Sequence, residues 1–267
     1  MTNYLSNHAI EQFIVSASQM AAIEQRMFNA GMPVAALMEK AAGLAAQRFV
    51  QLYPLSVASK IGVLVGPGHN GGDAAVVARE LHLQGYAVCF YRPLEKGKEL
   101  TQAHLDYAIR LGIPVVESVS ALQDCDVIID GLFGFGMTRP LSGDLATDVD
   151  RINQESLPVV SIDLPSGIHT DTGEVLGTAI KATQTLCLGL WKRAFFQDQA
   201  LAYLGSVELI DVGIPLADVQ AIIEEKDAIK RMSASLARSF LPLPRPLVTH
   251  KYKQGHLLII AGSRQYA

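Results

Sequence analysis

Three loops of the 267-residue sequence combine glycine with acidic, amide or hydroxyl side chains, and each follows an apolar run directly. They are residues 66–73 (GPGHNGGD), 130–140 (DGLFGFGMTRP) and 163–167 (DLPSG). A glycine-rich turn between a strand and a helix presents backbone N–H groups to a phosphate, and an aspartate beside it can hold or move a proton. A lone acidic residue is usually a turn or cap residue, but three such loops together indicate a binding site.

The first loop matches neither common phosphate-binding fingerprint. Its HNGGD segment breaks the GxGxxG spacing of dinucleotide-binding folds, and no GK[ST] follows as in a P-loop. The glycines are expected to allow positive φ and close approach of a ligand. The alternative is a plain strand–helix turn in which Asp73 caps the helix.

The elements that must position these loops alternate between strand and helix. Apolar runs predict strands at 61–66, 86–91, 114–117, 126–134, 157–163, 182–190 and 205–213. Amphipathic periodicity predicts helices at 16–30, 33–53, 74–85, 98–112 and 145–155, the first with Ser16 or Ser18 as its N-cap. The order predicts an α/β fold, a Rossmann-like three-layer α/β/α sandwich with a mostly parallel sheet, plus N-terminal helices. Since ligands bind beyond the carboxyl ends of parallel strands, the three loops are expected to meet at one edge.

Composition argues against several classes of protein. The hydrophobic fraction of 49% and the charged fraction of 18% are typical of a folded globular protein. Cys89, Cys125 and Cys187 form no CxxC pair and lie in apolar runs, so buried roles are expected. No signal peptide or membrane-spanning run is recognisable, which predicts a cytoplasmic protein without a membrane partner. Residues 1–225 carry a net charge of −11 and residues 226–267 one of +7, so the main body is not expected to bind nucleic acid.

Four segments together resemble the YjeF N-terminal family, the NAD(P)H-hydrate epimerases. VGPGHNGGDAAVVARELHLQGYAV, DVIIDGLFGFGMTRPL and VVSIDLPSGIHTDTG are similar to the family patterns GPGNNGGDG, VDAlfGtG and vDiPSG. VSASQMAAIEQRMFNAGMPVAALMEKAA resembles the family's N-terminal helices, and the resemblance covers about residues 15–215 in one order. It implies an isomerase of nicotinamide cofactor repair, which interconverts the R and S forms of hydrated NADH and NADPH (NAD(P)HX).

The resemblance also implies roles for individual residues. Asp163 would sit against the reacting ring as the catalytic acid–base group. Asn70, Asp130 and Ser166 would coordinate one potassium ion (K+) per subunit, and their amide, carboxylate and hydroxyl oxygens suit a hard cation. The substrate-binding residues implied are His69, Asn70, Gly71, Gly72, Asp73, Gly134, Phe135, Gly136, Met137, Thr138, Arg139, Pro140 and Asp163.

The sequence departs from the family patterns at a few positions. His69 stands where the family usually has Asn, Ala74 where it has Gly, and Gly131 where it has Ala. The imidazole of His69 can still donate a hydrogen bond to a ligand. Lys192, which follows a predicted strand, is expected either to contact a substrate phosphate or to be a surface lysine.

A second resemblance concerns the end of the chain. HK at 250–251, GHLLIIAGS at 255–263 and YA at 266–267 resemble the opening of the ADP- or ATP-dependent NAD(P)H-hydrate dehydratase, a ribokinase-like domain in which HLLIIAG is a buried strand. The predicted domains are therefore an epimerase domain at 1–225, a linker at 226–249 and the truncated start of a dehydratase domain at 250–267. Dehydratase (lyase) activity is not expected of this chain alone.

Two other functions are considered at this stage. A non-catalytic nucleotide-binding or scaffold module of the same fold would be free to lose the acidic loop residues, and their presence favours catalysis. An ordinary nicotinamide dehydrogenase is disfavoured because the strand YAVCFYRP ends in Arg92 rather than in a ribose-binding acid. The Ala- and Met-rich N-terminal helices predict a homodimer or higher homo-oligomer, and the preference between NADHX and NADPHX is open.

Overall fold

The structure, a computed structural model, describes residues 10–241, 244 and 247–253. The chain divides into two compact units, with the boundary between Lys230 and Arg231. The helices of the described residues include none that is long and apolar enough to cross a membrane.

The strands of the described chain fall into two sheets. They are β1 (Phe13–Val15), β2 (Lys60–Val65), β3 (Ala87–Tyr91), β4 (Val115–Val116), β5 (Val127–Gly131), β6 (Val159–Ile162), β7 (Gln184–Leu188), β8 (Trp191–Lys192), β9 (Ser206–Ile210) and β10 (Ile229–Lys230). Seven of them form a parallel sheet in the order β4-β3-β2-β5-β6-β7-β9. All seven strands predicted from apolar runs are confirmed in this sheet.

The helices connect these strands. They are α1 (Ala17–Asn29), α2 (Val34–Leu52), α3 (His69–Leu83), α4 (Glu99–Arg110), α5 (Gly143–Gln154), α6 (Leu201–Leu204), α7 (Leu216–Ile222) and α8 (Ala234–Ser239). Four of the five predicted helices begin and end within two residues of their predicted bounds. The exception is α3, which begins five residues before the predicted start at 74.

Helices cover both faces of the central sheet. Neighbouring residues of β2 illustrate this, because successive strand side chains point to opposite faces. Val63 packs with buried residues of α2, α3 and α4 on one side. Leu64 packs with Val149 and Ile152 of α5 on the other. The three-layer α/β/α sandwich with a parallel sheet is confirmed.

A small second sheet, in the order β10-β1-β8, was not predicted from the sequence. Its strands are only two or three residues long, too short to show a periodicity. β1 pairs in parallel with β8, where Val15 lies opposite Lys192. It pairs antiparallel with β10, where Ile14 lies opposite Ile229. The sheet therefore holds the start of α1 beside Lys192.

Helix α1 begins with a capping box at the first of the two predicted caps. The Ser16 hydroxyl accepts a hydrogen bond from the backbone N–H of Gln19 (3.1 Å), and the Gln19 side chain accepts one from the Ser16 N–H (2.9 Å). The arrangement satisfies two N–H groups that the helix leaves unpaired. Ser16 is confirmed as the cap.

The Ala- and Met-rich faces of α1 and α2 are buried within the chain itself. Ala42, Ala45 and Ala46 of α2 pack in the core that covers the central sheet. Met20 and Met27 of α1 pack in a second cluster with residues that follow β9. Packing within the chain thus accounts for the Ala- and Met-rich composition of these helices, which was the reason for predicting a homodimer. The homodimer stays a prediction that this composition no longer supports.

The predicted linker 226–249 contains short secondary-structure elements. Residues 229–230 form β10 and belong to the first unit, so the boundary lies after Lys230. In the second unit α8 begins at a Ser233 cap, whose hydroxyl accepts a hydrogen bond from the Leu236 N–H at 3.1 Å. The predicted strand in 256–262 lies outside the described residues.

Candidate active site

A cavity of about 500 Å³ opens at the carboxyl edge of the central sheet. The loops after β2, β5 and β6 all contribute to its lining, together with one face of α1 and of α2. Its volume is within the range of small-molecule sites, roughly 300–1,000 Å³. The three glycine-containing loops of the sequence therefore meet in one place, as expected from the sheet.

The implied substrate-binding residues divide into two groups. Eight line the cavity: His69, Asn70, Asp73, Gly134, Phe135, Gly136, Met137 and Asp163. Gly71 and Gly72 are buried outside the lining, and Thr138, Arg139 and Pro140 are exposed outside it. The second half of the 134–140 loop is thus further from the cavity than the resemblance implied.

The segment HNGGD is helical, not a turn. Helix α3 begins at His69 with Gly68 as its N-cap, so Asp73 is its fifth residue. Gly68 makes no side-chain cap bond, and Asp73 lies too far along the helix to cap it. The alternative role of Asp73 as a helix cap is therefore wrong. Residues 68–70 line the cavity, where a helix N-terminus favours anionic groups.

The glycines of this loop serve close packing, and the expected positive φ is wrong for all four of them. A Cβ on Gly71 would lie 2.0 Å from the carbonyl oxygen of Gly66, and one on Gly72 would lie 2.7 Å from the sulfur of Met38. Both separations are far inside van der Waals contact. The glycines let α3 start directly against the strand end and against α2.

Asp130 and Ser166 form one fully buried hydrogen-bonded group. One oxygen of the Asp130 carboxylate accepts hydrogen bonds from the Ser166 hydroxyl (2.6 Å) and the Leu132 N–H (3.2 Å). The other accepts from the Ser161 hydroxyl (2.8 Å) and the Ser166 N–H (2.9 Å). Burial raises the pKa of the Asp130 carboxyl, and these hydrogen bonds oppose the rise. The group ties the loops after β5 and β6 together beneath the cavity.

Asn70 brings an unsatisfied amide to the same region. Its side-chain oxygen and nitrogen are both buried and have no hydrogen-bond partner among the described residues. A Cβ on Gly134 would lie 3.3 Å from Asn70 Cγ and 3.0 Å from Asp163 Oδ2, so both side chains border Gly134. A buried amide group normally has hydrogen-bond partners, and one without them indicates a bound ligand, ion or water at that place.

Asp163 has a backbone conformation found at no other non-glycine residue of the described chain, with φ of +70°. Non-glycine residues in this left-handed region are uncommon and cluster at functional sites. Its carboxylate accepts hydrogen bonds from the Phe135 N–H at 3.0 Å and the Leu188 N–H at 3.4 Å. It also pairs with the ammonium of Lys192. The conformation turns the carboxylate from the end of β6 toward the loop after β5.

Lys192 is completely buried, so the expectation of a surface lysine is wrong. Its ammonium donates to Asp163 and to the Leu188 carbonyl, the latter at 2.6 Å, and lies 5.8 Å from the centre of the Phe135 ring. Burial alone would lower the pKa of Lys192, but the negative charge of Asp163 and the other groups around it raise the pKa overall. Lys192 therefore stays charged despite its burial. The pairing of β8 with β1, which no sequence signal indicated, places Lys192 here.

Two more carboxyl groups, Glu24 and Asp73, line the cavity. Burial, and then the charge of Asp163, raises the pKa of Asp73 well above its usual value. Burial also raises the pKa of Glu24 to about 7, against a lowering influence of Lys192. Sequence reasoning missed Glu24, because an acidic residue on an amphipathic helix is normally a solvated one.

Comparison with known proteins identifies the family of the chain. The profile described as "YjeF-related protein N-terminus" matches residues 34–194, which include all three loops. A protein of Limosilactobacillus fermentum named "NAD(P)H-hydrate epimerase" is 39% identical over 203 residues, covering 74% of this chain and 95% of that one. The chain belongs to the YjeF N-terminal family.

Two further relatives give the extent of the family likeness. A Synechocystis protein named "Bifunctional NAD(P)H-hydrate repair enzyme Nnr" is 59% identical over 95% of this chain and 48% of its own length. The chain spans about half the length of the bifunctional relatives that it matches. A crystal structure of yeast ynu0 (YNL200c) covers 82% of this chain and 99% of its own, with a TM-score of 0.70 and 23% identity, and shares the fold.

Two departures from the usual YjeF N-terminal patterns compensate each other. A Cβ on Gly131 would lie 2.2 Å from the Cβ of Ala74, so the methyl group fits at only one of these positions. The usual pattern has Gly at position 74 and Ala at position 131, whereas this chain has Ala74 and Gly131. In this chain the methyl group between α3 and β5 comes from α3 instead of β5, and it fills the same space.

The third departure, His69, has a partner in this chain. Lys98 Nζ lies 3.3 Å from His69 Nε2. Burial, and then the positive charge of Lys98, lowers the pKa of His69, so the neutral ring accepts the hydrogen bond of the ammonium. Both residues line the cavity, and the pair adds a positive charge beside the N-terminus of α3.

Proposed function

We propose that the chain epimerises hydrated nicotinamide cofactors, interconverting the R and S forms of NADHX and NADPHX. The observation that carries the proposal is the Asp163–Lys192 pair, a charged and buried group at a left-handed backbone position inside the cavity. The names of the relatives from Synechocystis and L. fermentum support the substrate class.

The substrate chemistry sets what the site must do. Hydration leaves a hydroxyl on a ring carbon beside the ring nitrogen, a carbinolamine. Opening the C–O bond, assisted by the nitrogen lone pair, gives a positively charged ring and water, and return of water to the other face inverts the centre. The step needs a group that stabilises positive charge and groups that carry protons.

The carboxylate of Asp163 supplies the first requirement. Three donors, from Lys192, Leu188 and Phe135, fix its orientation. A preorganised negative charge beside the ring stabilises the cation that develops when the C–O bond opens. The same carboxylate can accept a proton from the returning water, the acid–base role assigned to Asp163.

The nucleotide part of the substrate is proposed to bind along the first turn of α3 and the loop after β5. The N-terminus of α3 and the ammonium of Lys98 together favour a phosphate. The loop is fixed by Gly136, whose φ is +90° and whose N–H donates to the Thr170 hydroxyl at 3.0 Å. Residues 134–137 then present their backbone to the ligand.

The residues present fit a potassium ion. Asn70 offers a buried amide oxygen without a partner, and Asp130 and Ser166 offer carboxylate and hydroxyl oxygens in a single group. An all-oxygen set of this kind suits a hard cation and does not suit zinc. The three residues would hold the ion, and a bound K+ would supply fixed positive charge that orders the loops. With the ion bound, Asn70 would restrain α3, and the Asp130 group would restrain the loops after β5 and β6.

The test is to mix the R and S hydrates of NADPH and of NADH with the protein and follow their interconversion by chiral-resolving chromatography. Measurements with and without K+ at equal ionic strength test the cation. Asp163→Asn is the informative variant, since Asn tolerates the left-handed conformation while removing the negative charge. We expect it to retain substrate binding and to lose most of the turnover, about 10²-fold or more.

Asp124→Asn is the matched control, because Asp124 is exposed and lies at the amino end of β5, away from the cavity. It should turn over at the wild-type rate. Unchanged turnover in Asp163→Asn would remove Asp163 from the mechanism. A wild-type protein that binds the hydrates but interconverts neither pair would favour the non-catalytic alternative.

A further inference from the structure

One carboxylic acid at the cavity, Glu24, has no role in the function proposed above. It lies on α1, between Met20 and Phe28 at four-residue spacing on the same helix face, and all three side chains line the cavity. It makes no hydrogen bond or ion pair with the described residues. An uncommitted acid between two apolar side chains is costly to keep charged.

Charged groups from the other elements face the same space as Glu24. They are Asp73 of α3, Lys98 before α4, Asp163 after β6 and Lys192 of β8. Asp163 and Lys192 neutralise each other in their ion pair. Lys98 contacts His69. Glu24 and Asp73 are therefore the two acids of the cavity without a cation bound to them.

Glu24 and Asp163 reach one cavity from different elements of the fold. Glu24 comes from the helix α1, and Asp163 from the carboxyl edge of the sheet. Their surroundings differ. Three donors bind the Asp163 carboxyl group, whereas Glu24 has no such partner among the described residues, and burial raises its pKa to about 7, so that much of it is protonated at neutral pH. Paired carboxyls separated in this way are the usual basis for an acid and a base in one site.

We propose that Glu24 is the second acid–base residue of the reaction and acts together with Asp163 in the same cavity. The inference rests on the proposed epimerase function. Inversion of one ring carbon requires the hydroxyl to leave from one face and water to arrive at the other. Two proton carriers that reach the cavity from different elements meet that requirement better than a single residue.

The protons and electrons balance in the following way. Glu24 gives its proton to the departing hydroxyl, and the C–O bond breaks with its electron pair leaving on water. The ring nitrogen donates its lone pair and forms a C=N double bond. Water then adds to the opposite face, Asp163 accepts one of its protons, and the C=N electrons return to nitrogen. The reverse reaction uses the same two groups with their roles exchanged.

Glu24→Gln tests the inference, because it keeps the shape and removes the proton. We expect kcat to fall about 10²-fold or more, with an unchanged Kd for 1,4,5,6-tetrahydro-NADPH, a ring analogue without the hydroxyl. In the wild type the active enzyme carries one proton on this pair, so kcat/KM should decline as the pH rises through about 7. Glu24→Gln should lack that decline.

Two further variants separate proton transfer from a structural role. Glu24→Asp keeps an acid and should retain the decline with pH at a reduced rate. Glu117→Gln removes an exposed carboxylate outside the cavity and should leave kcat and the pH profile unchanged. Wild-type turnover and an unaltered profile in Glu24→Gln would overturn the role of Glu24 alone. Absence of turnover in the wild type would instead overturn the epimerase function.

Discussion

Single atoms decide how the loops of this site fit together. Gly71 is required where α3 meets the end of β2, because any side chain there would overlap the backbone of Gly66, whereas a side chain at Gly72 would need the flexible end of Met38 to move. Gly131 is required because Ala74 fills the same space. At Asp163 the notable feature is conformational, since a left-handed residue carries the carboxylate that binds the Phe135 N–H.

The exchange at positions 74 and 131 predicts a rescue. Gly131→Ala adds a methyl group against that of Ala74 and should lower the free energy of unfolding by about 1–3 kcal/mol, the usual cost of overpacking. Ala74→Gly alone should cost about 1 kcal/mol, since glycine weakens a helix interior. The double variant should be more stable than Gly131→Ala. Urea unfolding of the four proteins measures the coupling.

A coupling of zero between the two substitutions would contradict the compensation. Gly62→Ala gives a milder comparison in the same sheet, because its Cβ would lie 3.0 Å from a flexible leucine methyl group rather than 2.2 Å from a helix Cβ. It should cost less than Gly131→Ala.

At the level of elements, α2 fixes where α3 begins. Gly72 of α3 packs on Met38 of α2. Two turns further along, Arg79 of α3 makes a two-pronged ion pair with Glu39 of α2, with distances of 2.9 and 2.7 Å. The hydrogen bond and charge of Arg79 lower the pKa of Glu39. The motif LMEKAA thus contributes a contact that holds α3 in place.

Glu39→Gln should loosen this contact at neutral pH. Glu39 is partly exposed, so the expected loss in the free energy of unfolding is about 1 kcal/mol. Because the pKa of Glu39 is lowered on folding, its contribution is present above the unfolded value of about 4.3 and is lost as the pH falls through the folded value. The difference between wild type and variant should therefore shrink in acid, as measured by urea unfolding at several pH values.

Glu80→Gln is the matched control for that experiment. Glu80 also pairs with Arg79, at 2.7 Å, but both residues belong to α3. Its loss removes a charge from Arg79 without unlinking the two helices, so the effect should be smaller. Equal effects of the two substitutions would mean that the link between α2 and α3 contributes nothing.

For the whole molecule, the compact first unit ends with β10. Pairing of Phe13 with Lys230 and of Ile14 with Ile229 covers one edge of β1, the strand that leads into α1. β1 also pairs with β8, which carries Lys192. The small sheet therefore links the end of the first unit to the helix that bears Glu24 and to the buried ion pair.

A chain ending at Lys230 should keep the stability of the first unit. Its Tm should match that of the full chain within about 2–4 °C, the shift that 1 kcal/mol produces at this size. A chain ending at Glu224 lacks β10 and exposes an edge of β1. Its Tm should therefore be lower, and Lys192 should be less protected from solvent. Differential scanning calorimetry compares the three chains. Equal Tm values for the two shortened chains would show that β10 adds no stability to the first unit.

Much of the fold follows from local sequence. The central strands β2, β5 and β6 are buried on both faces along almost their whole length. Short apolar runs of this kind, alternating with amphipathic helices, indicate strands of a covered parallel sheet. Strand order in an open sheet then brings the loops that contain Asn70, Asp130 and Asp163 to one edge. The motifs predicted these residues as a group because their spacing from the strand ends is itself local.

What the sequence left undecided depends on contacts between distant residues. The local sequence does not show that Lys192 is buried, because its burial depends on a two-residue strand that pairs with β1. It also does not show that Glu24 faces a cavity rather than water. Nor does local sequence separate glycines that need space from glycines that need positive φ. The amino-acid order alone set the sheet, its helices and the edge where the loops gather. Tertiary packing alone decided which carboxyl groups are paired and which are desolvated, since charge, burial and overlap arise only when distant segments meet.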